Sequence, residues 1–170
     1  KGASHGEGLG NQFLSHIRGV DAIAMVVRCF EDENVAHVSP TLDPLDDIAT
    51  VNLELILSDL ALLERHLGRA QAQAKARPRD YQEQIVAIQR ALEQLGQGVP
   101  LRRQSLTPEE RAWLREADLL TDKPMLYVAN VGEEALPDGG ELAQAVRRQA
   151  MAEGAEVVVL CAATEAEIIA

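Results

Sequence analysis

Aromatic residues are nearly missing from this chain: one Trp, two Tyr and two Phe make up 3% of its 170 residues. A core so poor in rings must be aliphatic, built from Leu, Val, Ile and Ala. Positive charge is also short, with 16 Lys and Arg against 27 Asp and Glu, a formal net charge of -11. That excludes a broad basic surface for nucleic acid and leaves room only for a local basic strip. The two cysteines, Cys29 and Cys161, each lie in or beside an apolar run. They read as buried, reduced thiols of a cytoplasmic protein, not as a disulfide framework or a metal site. No apolar run approaches membrane-spanning length and no signal-peptide pattern opens the chain, so no membrane partner is expected. No Gly-x-x-x-x-Gly-Lys-Ser/Thr phosphate loop occurs. An initiator Met is missing too. With Lys1 at one end and a helix-like Glu167-Ile-Ile-Ala170 at the other, the chain reads as a piece of a longer one.

What is present alternates between strand-like and helix-like segments. The apolar run Ala22-Ile-Ala-Met-Val-Val-Arg-Cys29 reads as a strand buried on both faces. Met125 to Ala129 and the run Glu156-Val-Val-Val-Leu-Cys161 read as two more. Asp43, Pro44, Asp46 and Asp47 open a long helix, with a cap, a first-turn proline and acids at the positive end of the dipole. Its apolar stripe is expected on Ile48, Val51, Leu55, Ser58 and Leu62, widened by Leu53, Ile56, Leu57, Leu60 and Leu63. Pro78 ends it. A second helix follows, with Tyr81, Ile85, Ile88, Leu92 and Leu95 on one face and a stop at Gly96 to Gly98. The pair reads as an antiparallel hairpin. Its tip carries Arg65, Arg69, Lys75, Arg77 and Arg79, a candidate contact for RNA or an acidic protein, or simply a solvated end. Thr107-Pro-Glu-Glu110 has the pattern of a capping box. The short helix after it carries Trp113, Leu114 and Leu119. A final helix begins after Cys161, with Thr164 able to cap it. The expected fold is α/β: a mostly parallel sheet flanked by helices, with the hairpin inserted after the first strand.

The chain is organised around Lys123-Pro-Met-Leu-Tyr-Val-Ala-Asn-Val-Gly-Glu133. Asn130 and Glu133 are expected just past the carboxyl end of the strand, the edge where open α/β sheets bind ligands. An amide offers a purine edge both a donor and an acceptor, and a carboxylate offers acceptors; an ordinary Asn-Val-Gly turn fits the same residues. The loop at Cys161, Ala162 and Ala163 leaves a second strand at the same edge. The glycine-rich opening, with Gly2, Gly6, Gly8 and Gly10, reads as a linker or as a segment that orders around a phosphate. His5 reads as a loop residue. The acidic loop Phe30-Glu-Asp-Glu-Asn34 lacks the glycine-centred spacing of a calcium loop and reads as a solvated turn.

These motifs, in this order, resemble the Obg-related GTPases, and most closely their YchF or Obg-like ATPase branch. The resemblance rests on Lys1-Gly-Ala-Ser-His-Gly-Glu-Gly-Leu-Gly-Asn-Gln-Phe-Leu14, Asp21-Ala-Ile-Ala-Met-Val-Val-Arg-Cys-Phe-Glu31, Asp43-Pro-Leu-Asp-Asp-Ile48, the Asn130 to Glu133 stretch and Val159-Leu-Cys-Ala-Ala163. It implies a P-loop NTPase-type fold, with residues 1–43 and 119–170 in the nucleotide-binding domain and residues 44–118 as an inserted coiled-coil hairpin. It implies that Asn130, Val131 and Glu133 read the base, with Cys161, Ala162 and Ala163 as the second base loop. It places Gly2, Ser4, Gly6, Gly8 and Gly10 in the second switch. Where Asn-Lys-x-Asp is usual in GTPases, this chain has Val131 and Glu133. The longer acid misplaces the two-bond contact to guanine, so adenine becomes acceptable. The resemblance further implies an ATP/GTP hydrolase acting as a ribosome-associated switch, with ribosomal RNA a possible contact, and Mg2+ held by residues before Lys1. No catalytic residue is assigned within the chain. The other reading is a non-enzymatic helical-hairpin interaction module on an α/β base.

Overall fold

The computed structural model describes residues 9–31 and 42–169, with the side chains of residues 9–12 left aside. The chain packs as two compact units: one holds the described residues up to Asp21 with residues 52–123, the other residues 22–51 and 124–169. The insertion bounds expected from sequence, 44 and 118, differ from these borders. The first two turns of the long helix belong with the sheet, and the segment before Asp21 belongs with the helices.

The sheet unit contains three parallel strands in the order β1 (Ile23–Cys29), β2 (Met125–Val131), β3 (Glu156–Leu160). Buried residues alternate along β1, where Met25, Val27 and Cys29 are buried while Val26 is 67% exposed. The expectation of burial on both faces therefore does not hold for β1. A continuous apolar run satisfies period two as readily as full burial, and only neighbours decide between them. In β2, Met125, Tyr127, Ala129 and Val131 fill the covered face.

Helix α5 (Gly140–Glu153) lies between β2 and β3 in sequence and buries Ala143, Val146 and Ala150. Tyr127, fully buried, donates its hydroxyl to Glu153 Oε2 at 2.7 Å, and Gln149 holds the other oxygen at 2.7 Å. Gly139 precedes α5 at φ 85, and a Cβ there would meet Ala143 Cβ at 2.5 Å and Val159 Cγ1 at 3.0 Å. Only glycine permits both the left-handed backbone and this close approach.

The helical unit contains α1 (Leu9–His16), most of α2 (Pro44–Ala74), α3 (Pro78–Gly96) and α4 (Pro108–Arg115). Ile56, Leu63 and Ala70 from α2 join Ile88, Ala91 and Leu95 from α3 and Leu114 from α4 in one buried cluster. Each leucine fully removed from water there contributes about 1.5–3 kcal/mol. The stripe on α2 holds in part: Ile48, Leu55, Ile56 and Leu63 are buried as expected, while Val51, Leu53 and Leu57 are exposed and Asp59 and His66 are buried in addition. On α1, Leu14 is buried and Phe13 is 62% exposed, so the two do not share the packed side. The capping box at Thr107 forms, with Glu110 N–H donating to Thr107 Oγ1 at 3.2 Å and Thr107 N–H donating to Glu110 Oε2 at 2.8 Å. Leu119 lies beyond α4, in the following turn, and is buried there.

Candidate functional site

β2 carries two more residues than its sequence suggests. Asn130 and Val131 remain in the strand, paired with Arg28 and Cys29 of β1, and Asn130 also with Leu160 of β3. The polar turn starts at Gly132, so Asn130 lies within the last two residues of the strand and not past its end. A parallel partner on each side keeps the backbone extended there in spite of the residue's turn preference.

Asn130 Oδ1 accepts the Ala162 N–H at 3.0 Å. This bond ties the carboxyl end of β2 to the start of α6 (Ala162–Ile169), and so joins the two loops that sequence picked out separately. With its oxygen engaged, the amide nitrogen of Asn130 offers two donors. Asn130, Val131, Gly132, Glu133, Cys161 and Ala163 all line one cavity of about 270 Å³. Small-molecule clefts run upward from about 300 Å³, so this volume suits a heterocyclic base better than a whole nucleotide. Val131 is 2% exposed and forms buried lining, while Glu133 is exposed at the rim. Ala162 is exposed and contributes its N–H.

The cavity has three further lining residues that sequence reasoning did not assign to the site: Phe30 and Glu31, read there as part of a solvated acidic turn, and Glu134. Phe30 follows β1 directly. The Arg28 guanidinium sits 5.0 Å from its ring centroid, and Arg28 Nε donates to the Phe30 carbonyl at 3.0 Å. In a chain with so few rings, an aromatic residue just past a strand end was the available signal. Residues 32–41 lie outside the described residues, as do Gly2, Ser4, His5, Gly6 and Gly8. Gly10 lies in α1.

Cys161, not Thr164, occupies the capping position of α6: Glu165 N–H donates to the Cys161 carbonyl at 3.0 Å. The Thr164 hydroxyl, then the backbone N–H groups of Thr164 and Ala163, hold the Cys161 thiol below its ordinary range, against the opposing charge of Glu133. Cys29 goes the other way. Burial first, and the Asp47 carboxylate second, push its thiol up to about 11. Both cysteines are free and buried. Among the described residues, no group of three His, Cys, Asp or Glu could hold a metal ion, and none of their helices is long and apolar enough to cross a membrane.

Parallel strands in this order, flanked by helices and ending at a cavity beyond their carboxyl ends, have the architecture of the α/β P-loop nucleoside triphosphatases. No family model matches the chain. It is 46% identical over 170 residues to the ribosome-binding ATPase YchF of Bacillus subtilis, covering 99% of this chain and 46% of that protein. The ribosome-binding ATPase YchF of Escherichia coli O157:H7 is 46% identical over 168 residues, with 99% and 46% covered. The solved structure of the Schizosaccharomyces pombe YchF GTPase matches with a TM-score of 0.81 at 28% identity, over 95% of this chain and 45% of that one. The chain belongs to the YchF family, and it spans about half the length of the curated relatives it matches.

Proposed function

We propose that this chain supplies the base-reading edge of an ATP/GTP hydrolase that works as a ribosome-associated switch. The observation that carries the reading is the Asn130 Oδ1 bond to the Ala162 N–H, at a cavity lined from both loops. The free Nδ2 donors of Asn130 face an acceptor on the purine edge. Val131 and Phe30 supply apolar and aromatic contact to the ring faces, and the Glu133 carboxylate accepts from an exocyclic amine. A guanine-selective site needs an Asp placed to accept two N–H donors at once. The extra methylene of Glu133 moves that carboxylate, so guanine loses its advantage and the six-amino purine is admitted.

Residues 44–118 act in this proposal as the inserted hairpin domain. The segment with Gly2, Ser4, Gly6, Gly8 and Gly10 acts as a second switch, ordered by the γ-phosphate. In this proposal Mg2+ accompanies the triphosphate and is held by residues outside the described ones. Ribosome binding is carried in the names of the relatives, and it comes to this chain as part of the proposal.

Equilibrium titration of the intact protein with ATP and with GTP tests the reading. ATP is expected to bind at least as well as GTP. Replacing Val131 by Lys together with Glu133 by Asp is expected to shift preference toward GTP. Binding of neither nucleotide ends the proposal, and an unchanged preference in the double variant ends its account of selectivity.

A further inference from the structure

The helical unit holds a cavity of its own. It lies between α3 and α4, has a volume of about 350 Å³, and is lined chiefly by Gln82, Glu83 and Val86 from α3 and by Glu109, Glu110 and Trp113 from α4. On each helix these residues recur three or four places apart, which puts them on one face. Leu114, next to Trp113, is buried in one cluster with Ile88, Ala91 and Leu95 of α3. That docking fixes α4 and leaves the indole half-buried at the cavity wall. Val86, on the α3 side, is 57% exposed.

The charged groups of the lining are all acidic. Glu110 is already engaged: its Oε2 accepts the Thr107 N–H at 2.8 Å and Arg90 Nη2 at 2.7 Å. Arg90 Nη2 also reaches the Ser105 carbonyl at 3.4 Å, so the α4 wall is held in place. Glu83 and Glu109 are exposed, and among the described residues neither has an ion-pair partner. The one Trp of a chain with 3% aromatics thus stands half open to water, in a groove with two carboxylates that nothing neutralises.

We infer that this groove receives a basic segment of a partner protein, anchored by an arginine side chain. A guanidinium stacks on an indole face, drawn by the negative charge of the ring face. Its fork of N–H donors suits carboxylates, here Glu83 and Glu109, and its methylene stem covers an apolar residue such as Val86. Lysine satisfies the charge and stacks less well. Phosphate backbones are repelled by three carboxylates with no cation among them. A bare metal ion gains nothing from indole and valine, and a neutral ligand makes no use of the acids. Trp and Arg are the side chains most enriched where protein interfaces hold their binding energy. The inference stands apart from the nucleotide reading.

The test is fluorescence anisotropy of the intact protein with a labelled peptide of alternating Arg and Leu, beside the same peptide with citrulline, the neutral analogue of arginine, in place of Arg. The Arg peptide should bind, and the citrulline peptide should bind about tenfold more weakly or worse. Trp113→Ala should cost about tenfold or more, and Trp113→Tyr should restore most of the affinity. Glu83→Gln with Glu109→Gln, both at exposed positions, should cost as much and keep the fold by circular dichroism. Glu141→Gln with Glu156→Gln makes the same change of charge in the sheet unit and should leave binding unchanged. The inference is overturned if the Arg peptide does not bind, if citrulline serves as well, or if the sheet-unit variant loses as much as the groove variant. Displacement of the peptide by Ca2+ at equal ionic strength would make the groove a cation site and overturn it. Self-association of the free protein that Trp113→Ala abolishes would make the occupant a second copy, and would overturn it as well.

Discussion

Arg18 Nη1 lies 3.0 Å from Asp59 Oδ1, and the Asp59 side chain is completely buried. The same carboxylate accepts the backbone N–H of Leu120 at 3.1 Å and of Thr121 at 2.7 Å. Arg18 also donates to the Asp118 carbonyl at 3.0 Å and to Ser58 Oγ at 2.6 Å. One carboxylate in the middle of α2 thus holds the chain after α1 and the turn before β2. Asp59→Ala would leave a guanidinium and two N–H groups without their acceptor. Breaking a buried pair in this way costs about 3–5 kcal/mol, and Arg18 keeps 20% exposure, which favours the lower end. Urea denaturation should show a loss of about 3 kcal/mol. A loss below about 1 kcal/mol would mean that water replaces the network without penalty.

The capping box on α4 predicts a pH signature. The Thr107 N–H first, then Arg90, hold the Glu110 carboxyl below its ordinary value of 4.5. A lowered folded-state pKa gives stability that is present above the unfolded value and lost as pH falls through the folded one. Glu110→Gln keeps a capping acceptor but removes the charge beside Arg90. The stability difference between the native protein and Glu110→Gln should therefore be constant above about pH 5 and close below it. A difference that widens on acidification would contradict the assignment.

The two thiols should separate in reactivity. The N–H groups at the start of α6 and Thr164 favour the Cys161 thiolate, while Cys29 is pushed up to about 11. Only the thiolate is alkylated. Iodoacetamide labelling followed by mass spectrometry should modify Cys161 first, and its rate should rise at lower pH than that of Cys29. Saturating ATP should slow labelling of Cys161, which lines the cavity. Faster labelling of Cys29 in the folded protein would reverse this account.

Asn130→Ala removes the acceptor for the Ala162 N–H together with the free amide donors. Loss of one or two such bonds corresponds to about 1–3 kcal/mol, so ATP affinity measured by calorimetry should fall roughly ten- to hundredfold. Asn130→Asp keeps an acceptor for Ala162 but no donor for the purine. If it binds ATP like the native protein, the role proposed for the amide nitrogen is wrong.

Gly139→Ala should destabilise the sheet unit. A side chain at φ 85 is strained, and its Cβ would meet Ala143 and Val159. Strain and overpacking together predict a loss of about 2–3 kcal/mol in thermal or urea denaturation. Gly19, where an added Cβ would have no neighbour within 4 Å, is the control and should tolerate Ala.

Local chemistry was enough to read much of this protein. The capping box at Thr107 and Glu110 is written in four consecutive residues, and Pro44 and Pro78 mark helix starts whatever surrounds them, because their constraints are covalent or lie within one turn. Three apolar runs between helical patterns specified parallel α/β alternation, since only a crossover returns a chain in the same direction. That Asn130 to Glu133 and Cys161 to Ala163 meet at one sheet edge was legible because both follow strands of one sheet. Other features needed neighbours distant in sequence. Strand partners on both sides keep Asn130 extended, an exposed face gives β1 its alternation, and a guanidinium 41 positions away makes Asp59 a buried residue in place of a surface one. A carboxylate carries no mark in sequence of whether its partner exists; burial depends on the sum of contacts around it, and that sum exists only in the folded chain.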